Sequence, residues 1–431
     1  MEGAAQDNMA KQVARTVDTS IVLRTEINLN EDNLSEEAKK QFSDHSEILC
    51  AYRLNARVIL ANNRLSPTGR HLYCLMLETN YSNCKNVLNY VASHPELKIT
   101  TQSIRPPLIL CGLGRTGTTL LYNLLACDPA CRAPFAMDMM DPVPPLARSD
   151  TSREMHRNKI ASAYSNTFNS LGLNDYLRDI HASHPSFTHD EDLYVLSQAG
   201  LNWPTYLLAS HRENEFAKWF LNDTNKDFVY QYHKTFIQML NSVDAPRSHW
   251  LFKTAIHALY FNTLLKYYPT ASLIMTHRRL DEALPSCARL AIAFATAYFD
   301  NNKADVRIDK KMVVEQLLNV YDVIIRRIVE FRRTNRDVPV LDILYDDLLA
   351  QPIDTVRRIY QHFNMAWSED FEQAMLGWLR DNPQGKQGRN TYTLEEFGLD
   401  RETIDKNYEE YNNMFLKTRD QSETDANIIK N

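Results

Sequence analysis

Glycine is scarce in this chain, at 11 of 431 residues. Scarcity makes placement informative, because glycine is kept for backbone geometry that other residues cannot adopt. Gly112, Gly114 and Gly117 fall within one short stretch, and Gly385, Gly388 and Gly398 cluster near the C-terminus. The seven cysteines are scattered, with no CxxC pair, which excludes a disulfide framework and a zinc cluster. Long hydrophobic runs are missing too. The longest uncharged apolar stretch, residues 290–299, is about half of what a bilayer span requires. Residues 1–20 have no apolar core, so no secretory signal is expected. Positive charge is not in excess, with 48 Lys and Arg against 54 Asp and Glu, a net charge of −6. Bulk nucleic-acid binding is excluded on that balance, and any anion site must be a local pocket. A hydrophobic fraction of 44% is enough for a packed core. A cytoplasmic, mostly reduced globular protein is expected.

Residues 1–30 read as a polar, weakly ordered arm. Residues 35–93 carry apolar side chains at helical spacing, and Pro67-Thr-Gly69 divides them into two helices. Together they predict a helical N-terminal extension over residues 1–100. The pattern then changes to short apolar runs, each followed by a helical stretch. Strands are expected at 107–111, 249–253, 271–275 and 338–344, with long helices at 227–240 and 311–333. That alternation predicts the α/β class: a P-loop-like parallel β-sheet flanked by helices on both faces, in one domain over residues 101–420. In such sheets ligands sit at the carboxyl ends of the strands, here residues 112–119, 253–257 and 277–286.

The segment Gly112-Leu-Gly-Arg-Thr-Gly-Thr-Thr119 ends a strand and opens a helix. Its glycines let backbone N–H groups turn toward one point, and the helix N-terminus adds partial positive charge; together they form an anion cradle. The spacing matches GxxxxGK[ST], except that Thr118 stands where the triphosphatase lysine belongs. No strand ends in an obvious magnesium-binding Asp. A shorter, less charged anion handled without metal is the expectation, which argues against a nucleotide or nucleoside kinase using the same loop.

The stretch LILCGLGRTGTTLLYNLLACDP resembles the 5′-phosphosulfate loop of sulfotransferases that use 3′-phosphoadenosine-5′-phosphosulfate (PAPS). The likeness is to the branch holding bacterial-type and, more distantly, tyrosylprotein sulfotransferases. It continues through residues 249–290, at Tyr345-Asp-Asp-Leu and at GRNTYTLEEFGL, four blocks in order over about 300 residues. The resemblance implies that Gly114, Arg115, Thr116, Gly117, Thr118 and Thr119 cradle the donor phosphosulfate. It also implies that Arg278 and Ser286 hold the 3′-phosphate, since an arginine closing a strand and a serine eight residues on do so in the family. The guanidinium fork suits that phosphate. Where the family reads Asp-Pro after the arginine, this chain has Arg279-Leu280. Tyr345, Lys386, Gly388 and Arg389 complete the implied nucleotide set, the last three on a loop that closes over it. PAPS is the expected cosubstrate, 3′-phosphoadenosine-5′-phosphate (PAP) the product, and no metal is expected.

Sulfonyl transfer needs a base for the acceptor proton, a cation at the departing oxygen and donors for the equatorial oxygens. Arg115, Thr118 and Thr119 suit the oxygens, and Lys253 matches the family lysine that assists the leaving group. Three candidates stand for the base. Asp138 is the first, in a segment where the family has Trp-Glu and this chain has Met137-Asp138. His257 is the second and Glu191, beside Asp192, the third. The acceptor pocket is expected from residues 137–147, 150–189 and 291–300, which hold methionines and aromatics including Phe168, Tyr176, Phe294 and Tyr298. The implied partner is a small-molecule acceptor with an apolar body, bearing a hydroxyl or an amine, with no membrane span; a homodimer is left open. A non-catalytic nucleotide-binding homologue is the remaining alternative.

Overall fold

The computed structural model describes residues 17, 18, 20–99, 104–183, 187–383 and 393–416. Four parallel strands form one sheet in the order β2-β1-β3-β4: β1 Pro107–Leu110, β2 Trp250–Lys253, β3 Ser272–His277 and β4 Val340–Leu344. The chain crosses from β1 to one neighbour, β2, and then back past it to the other, β3. The carboxyl end of β1 is therefore the point where the strand order reverses.

Side chains alternate across the sheet. Leu108, Leu110, Leu251 and Ile274 pack with Leu121, Leu125, Val356 and Tyr360 on one face. Ile109, Phe252, Leu273 and Met275 pack on the other with the long helices Asp227–Val243 and Lys310–Thr334. Both faces are covered, so the strands read as continuous apolar runs instead of alternating ones. The N-terminal helices join the second face: Tyr52, Tyr73, Leu77 and Tyr81 belong to the same core cluster as Phe252.

Two local expectations change. The break between helices falls just before Pro67-Thr-Gly69, after the helix His45–Leu60; Pro67 itself begins the helix Pro67–Ser93, with the Ser66 side chain accepting from Gly69 N. Proline is tolerated there because the first-turn N–H has no intrahelical partner. Further upstream, the described part of the presumed loose arm is anchored. Arg24 N donates to His71 Nδ1 at 2.9 Å, and Asn28 N donates to Glu78 Oε1 at 2.9 Å. Among the described residues no helix is long and apolar enough to cross a membrane.

Register sets the height of the functional ends. Leu110 pairs with Lys253 on one side and Ile274 on the other. β3 continues to His277, opposite Leu344, which carries Arg278 up beside the glycine loop. Gly112 lies where β1 gives way to that loop, and an added Cβ would overlap the Thr276 amide nitrogen. Gly112→Ala is expected to lower stability by about 1–3 kcal/mol, the usual range for overpacking, because strand backbone cannot move aside. A urea titration of the variant checks it.

Candidate active site

The loop after β1 leads into the helix Thr118–Leu125. Gly117 has φ 85°, and a Cβ there would lie 2.9 Å from Leu348 Cδ2 and 3.1 Å from Tyr345 Cδ2. Glycine thus serves both the left-handed turn and the close approach. Arg115 takes φ 63° without that freedom. Thr116 is buried and points down into the sheet, its hydroxyl bonded to Leu113 O and, at 2.6 Å, to Thr276 Oγ1. Its side chain fastens the loop, leaving backbone amides and Thr118 and Thr119 at the helix N-terminus for an anion.

On one rim of the loop four predicted residues converge. Arg115 Nε donates to Ser286 Oγ at 3.0 Å. Arg278 donates to Arg115 O at 3.1 Å, and its guanidinium lies 4.2 Å from the centre of the Tyr345 ring. Ser286 sits on the helix Leu280–Ala295, which β3 feeds directly. Glu282 Oε2 pairs with both Nε and Nη2 of Arg278, each at 3.0 Å. The departing residue Arg279 does not add charge here. It bonds Asp281 at 2.9 Å and is more than half exposed. Arg115, expected over the equatorial oxygens, instead has its Nε committed to Ser286.

On the other rim stand Lys253 and Glu191. Lys253 Nζ donates to Thr119 Oγ1 at 3.2 Å and pairs with Glu191 Oε1 at 2.8 Å. Glu191 keeps 26% of its side chain exposed, and its Oε2 has no hydrogen-bond partner among the described residues. This carboxylate is open, while the other two candidate bases are not. Asp138 is buried, its Oδ2 accepting from Phe135 N at 3.1 Å and its Oδ1 from Arg153 at 2.7 Å, with Arg132 at 3.7 Å. It caps a short helix, Ala136–Met140, and neutralises buried arginines. His257 is also buried, with Nε2 on Asp192 and Nδ1 on the Tyr230 hydroxyl.

The signal that sequence reasoning underweighted is Asp192. Its fully buried carboxylate accepts from His257 Nε2 at 2.8 Å, His233 Nε2 at 3.0 Å and the Lys253 backbone N at 3.1 Å. Burial alone would raise its pKa, but the charge of His257 and the hydrogen bonds from His233 and His257 hold it well below the usual carboxylate range. Asp192 follows Glu191 directly and grips Lys253, so one side chain fixes both members of the open ion pair. Lys386, Gly388 and Arg389 lie outside the described residues.

The loop thus offers anion donors at a helix N-terminus, with a lysine on one side and an arginine–serine pair on the other. Residues 106–369 match the model of the sulfotransferase family. The chain belongs to that family. Among curated proteins this sulfotransferase is similar to omega-hydroxy-beta-dihydromenaquinone-9 sulfotransferase Stf3 of Mycobacterium bovis and of Mycobacterium tuberculosis. Identity to each is 24% over 302 residues, 68% of this chain and 71% of theirs. Among solved structures it is similar to sulfotransferase STF9 from Mycobacterium avium, with a TM-score of 0.66 at 21% identity over 90% of this chain and 98% of that one. Sulfotransferase STF1 from Mycobacterium tuberculosis follows, with a TM-score of 0.65 at 20% identity over 89% and 99%. Those two likenesses bear on the fold, and they agree with a parallel sheet between helical layers preceded by N-terminal helices.

Proposed function

We propose that this sulfotransferase carries the sulfonate of PAPS to a hydroxyl, or an amine, of a small-molecule acceptor with an apolar body. The observation that carries the reading is the two-rim arrangement, with Arg115, Arg278 and Ser286 on one side of the loop and Lys253 and Glu191 on the other. The first rim would hold the 3′-phosphate, and the amides of the loop with Thr118 and Thr119 the 5′-phosphosulfate. Membership of the sulfotransferase family sets the kinase alternative aside.

Glu191 takes the proton from the acceptor as its oxygen attacks sulfur. Lys253 meets the negative charge developing on the phosphate oxygen that leaves. We assign the base to Glu191 over Asp138 and His257 because an atom already spent on buried partners cannot receive a proton from a substrate. The name of the Stf3 relatives describes a hydroxylated, largely apolar acceptor, which supports an apolar body here. The absence of cysteine pairing supports a reducing, cytoplasmic setting, since all seven thiols are free.

Thermal shift without added metal tests the nucleotide half. PAP should stabilise the protein more than ADP, which lacks the 3′-phosphate. Arg278→Ala should erase the difference, weakening PAP by about 10–100-fold, as expected for one lost charge-assisted contact of about 1.5–3 kcal/mol. Equal stabilisation by both nucleotides would overturn the assignment. Transfer of label from PAPS across an acceptor library tests the other half.

A further inference from the structure

The described chain ends in two short helices, Arg401–Asn407 and Glu409–Phe415. Helices this short do not hold themselves in water, so contacts with the body place them. The second is applied to the end of β3. Tyr411 and Phe415, one turn apart and both buried, meet His277, the residue before Arg278. The His277 ring stacks on Phe415 with centres 4.0 Å apart and planes 9° from parallel. Its Nδ1 accepts from the Tyr411 hydroxyl at 2.9 Å, and its Nε2 donates to Asp342 Oδ1 at 2.9 Å. A carboxylate only accepts, so Nε2 carries the ring proton and Nδ1 is left to take the phenol's. Arg332 holds the other oxygen of Asp342 at 2.7 Å.

The imidazole is thus fixed at both nitrogens and on one face. Burial pushes the Tyr411 phenol above its ordinary range, and a hydrogen bond from the Arg278 backbone acts against that. One phenol oxygen therefore serves two consecutive residues, where β3 gives way to the arginine–serine rim. The first helix adds a second tie. Arg401 pairs with Asp281 at 2.7 Å, and Asp281 also takes Arg279 at 2.9 Å. The residues on either side of Arg278 are each held, while Arg278 itself reaches past Tyr345 to Arg115 O. A guanidinium at the end of a long side chain meets a phosphate squarely only if its own backbone is fixed, to within about 0.5 Å.

Building on the reading that Arg278 holds the 3′-phosphate, we infer that Tyr411 is a positioning residue for that arginine, which makes the last helix part of the nucleotide site. Tyr411 touches no substrate. It fixes the end of β3 through His277, and so sets where the guanidinium stands. Its contribution goes to the 3′-phosphate alone, because the glycine loop is anchored separately by Thr116 on Thr276.

Isothermal titration with PAP and with adenosine 5′-monophosphate, which differ only in the 3′-phosphate, reads the effect. Tyr411→Phe keeps the ring in its place beside Phe415 and removes one hydroxyl. PAP should weaken by about tenfold, the upper end for one hydrogen bond, with the monophosphate unchanged. In an Arg278→Ala background the same substitution should change neither affinity, since the group it positions is gone. Tyr408→Phe supplies the comparison. Tyr408 bonds Asp322 from the start of the same helix, so its loss loosens the docking without touching His277. The ratio of the two affinities should then stay at the wild-type value. A wild-type ratio in Tyr411→Phe, an equal drop for both nucleotides, an undiminished effect without Arg278, or a matching effect from Tyr408→Phe overturns the assignment. Wild-type protein that binds the two nucleotides equally strikes the 3′-phosphate reading itself, before any variant is compared.

Discussion

Glu191→Gln should lower kcat by about 10²–10⁴, the range for losing a positioned general base, with KM for PAPS little changed. The amide keeps the shape and can still accept from Lys253, so the nucleotide rim has no reason to move. Lys253→Met should be comparably severe, because charge then develops on the leaving oxygen without a counterion. The two groups touch at 2.8 Å, so their effects should not add. The double variant is expected to be barely slower than the worse single one, since neither group serves its role fully without the other. Single-turnover assays with labelled PAPS measure all three. A Glu191→Gln enzyme with wild-type kcat would return the base to Asp138 or His257.

Asp192→Asn should damage both stability and catalysis. The carboxylate accepts three hydrogen bonds in a fully buried place; an amide offers one acceptor and points an N–H₂ group at donors. Breaking a buried charged hub of this kind costs about 3–5 kcal/mol. The Asp192 pKa is held below its unfolded value, so this stabilisation is fully present above about pH 4 and is lost as pH falls through the folded value. The gap between wild type and variant in urea titrations should therefore be full at neutral pH and shrink in acid. Catalysis should fall by about 100-fold from misplacement of Lys253 and Glu191. PAP binding should hold, because Thr116, bonded to Thr276, anchors the nucleotide loop independently. A variant that loses PAP binding in step with activity would point to general collapse instead.

The strand cores were legible because strands covered on both faces must be apolar throughout, which is why Leu108-Ile-Leu110 and Leu251-Phe252 stand out in the chain. Strand ends were not. β3 runs on through Thr276 and His277, polar residues tolerated because Thr116, Asp342 and Tyr411 satisfy them. Those partners come from segments up to 160 residues away, beyond any local pattern. The Pro67 helix start was misplaced for a related reason: proline reads as a break until the cap beside it is seen.

What the sequence determined by itself was the strand–glycine loop–helix boundary, since glycine spacing and a strand–helix junction are local properties of the chain. The family resemblance pointed to Lys253, Arg278 and Ser286, and the fold brings all three to the loop after β1. Only the tertiary structure separates the carboxylates by their surroundings. Asp138, Glu191 and Asp192 are chemically alike in one dimension, and their difference is what each touches: arginines, a lysine and open cleft, or two histidines. Hydrogen-bond partners are a property of the folded surface, and for a titratable side chain they decide whether it holds the structure or moves a proton.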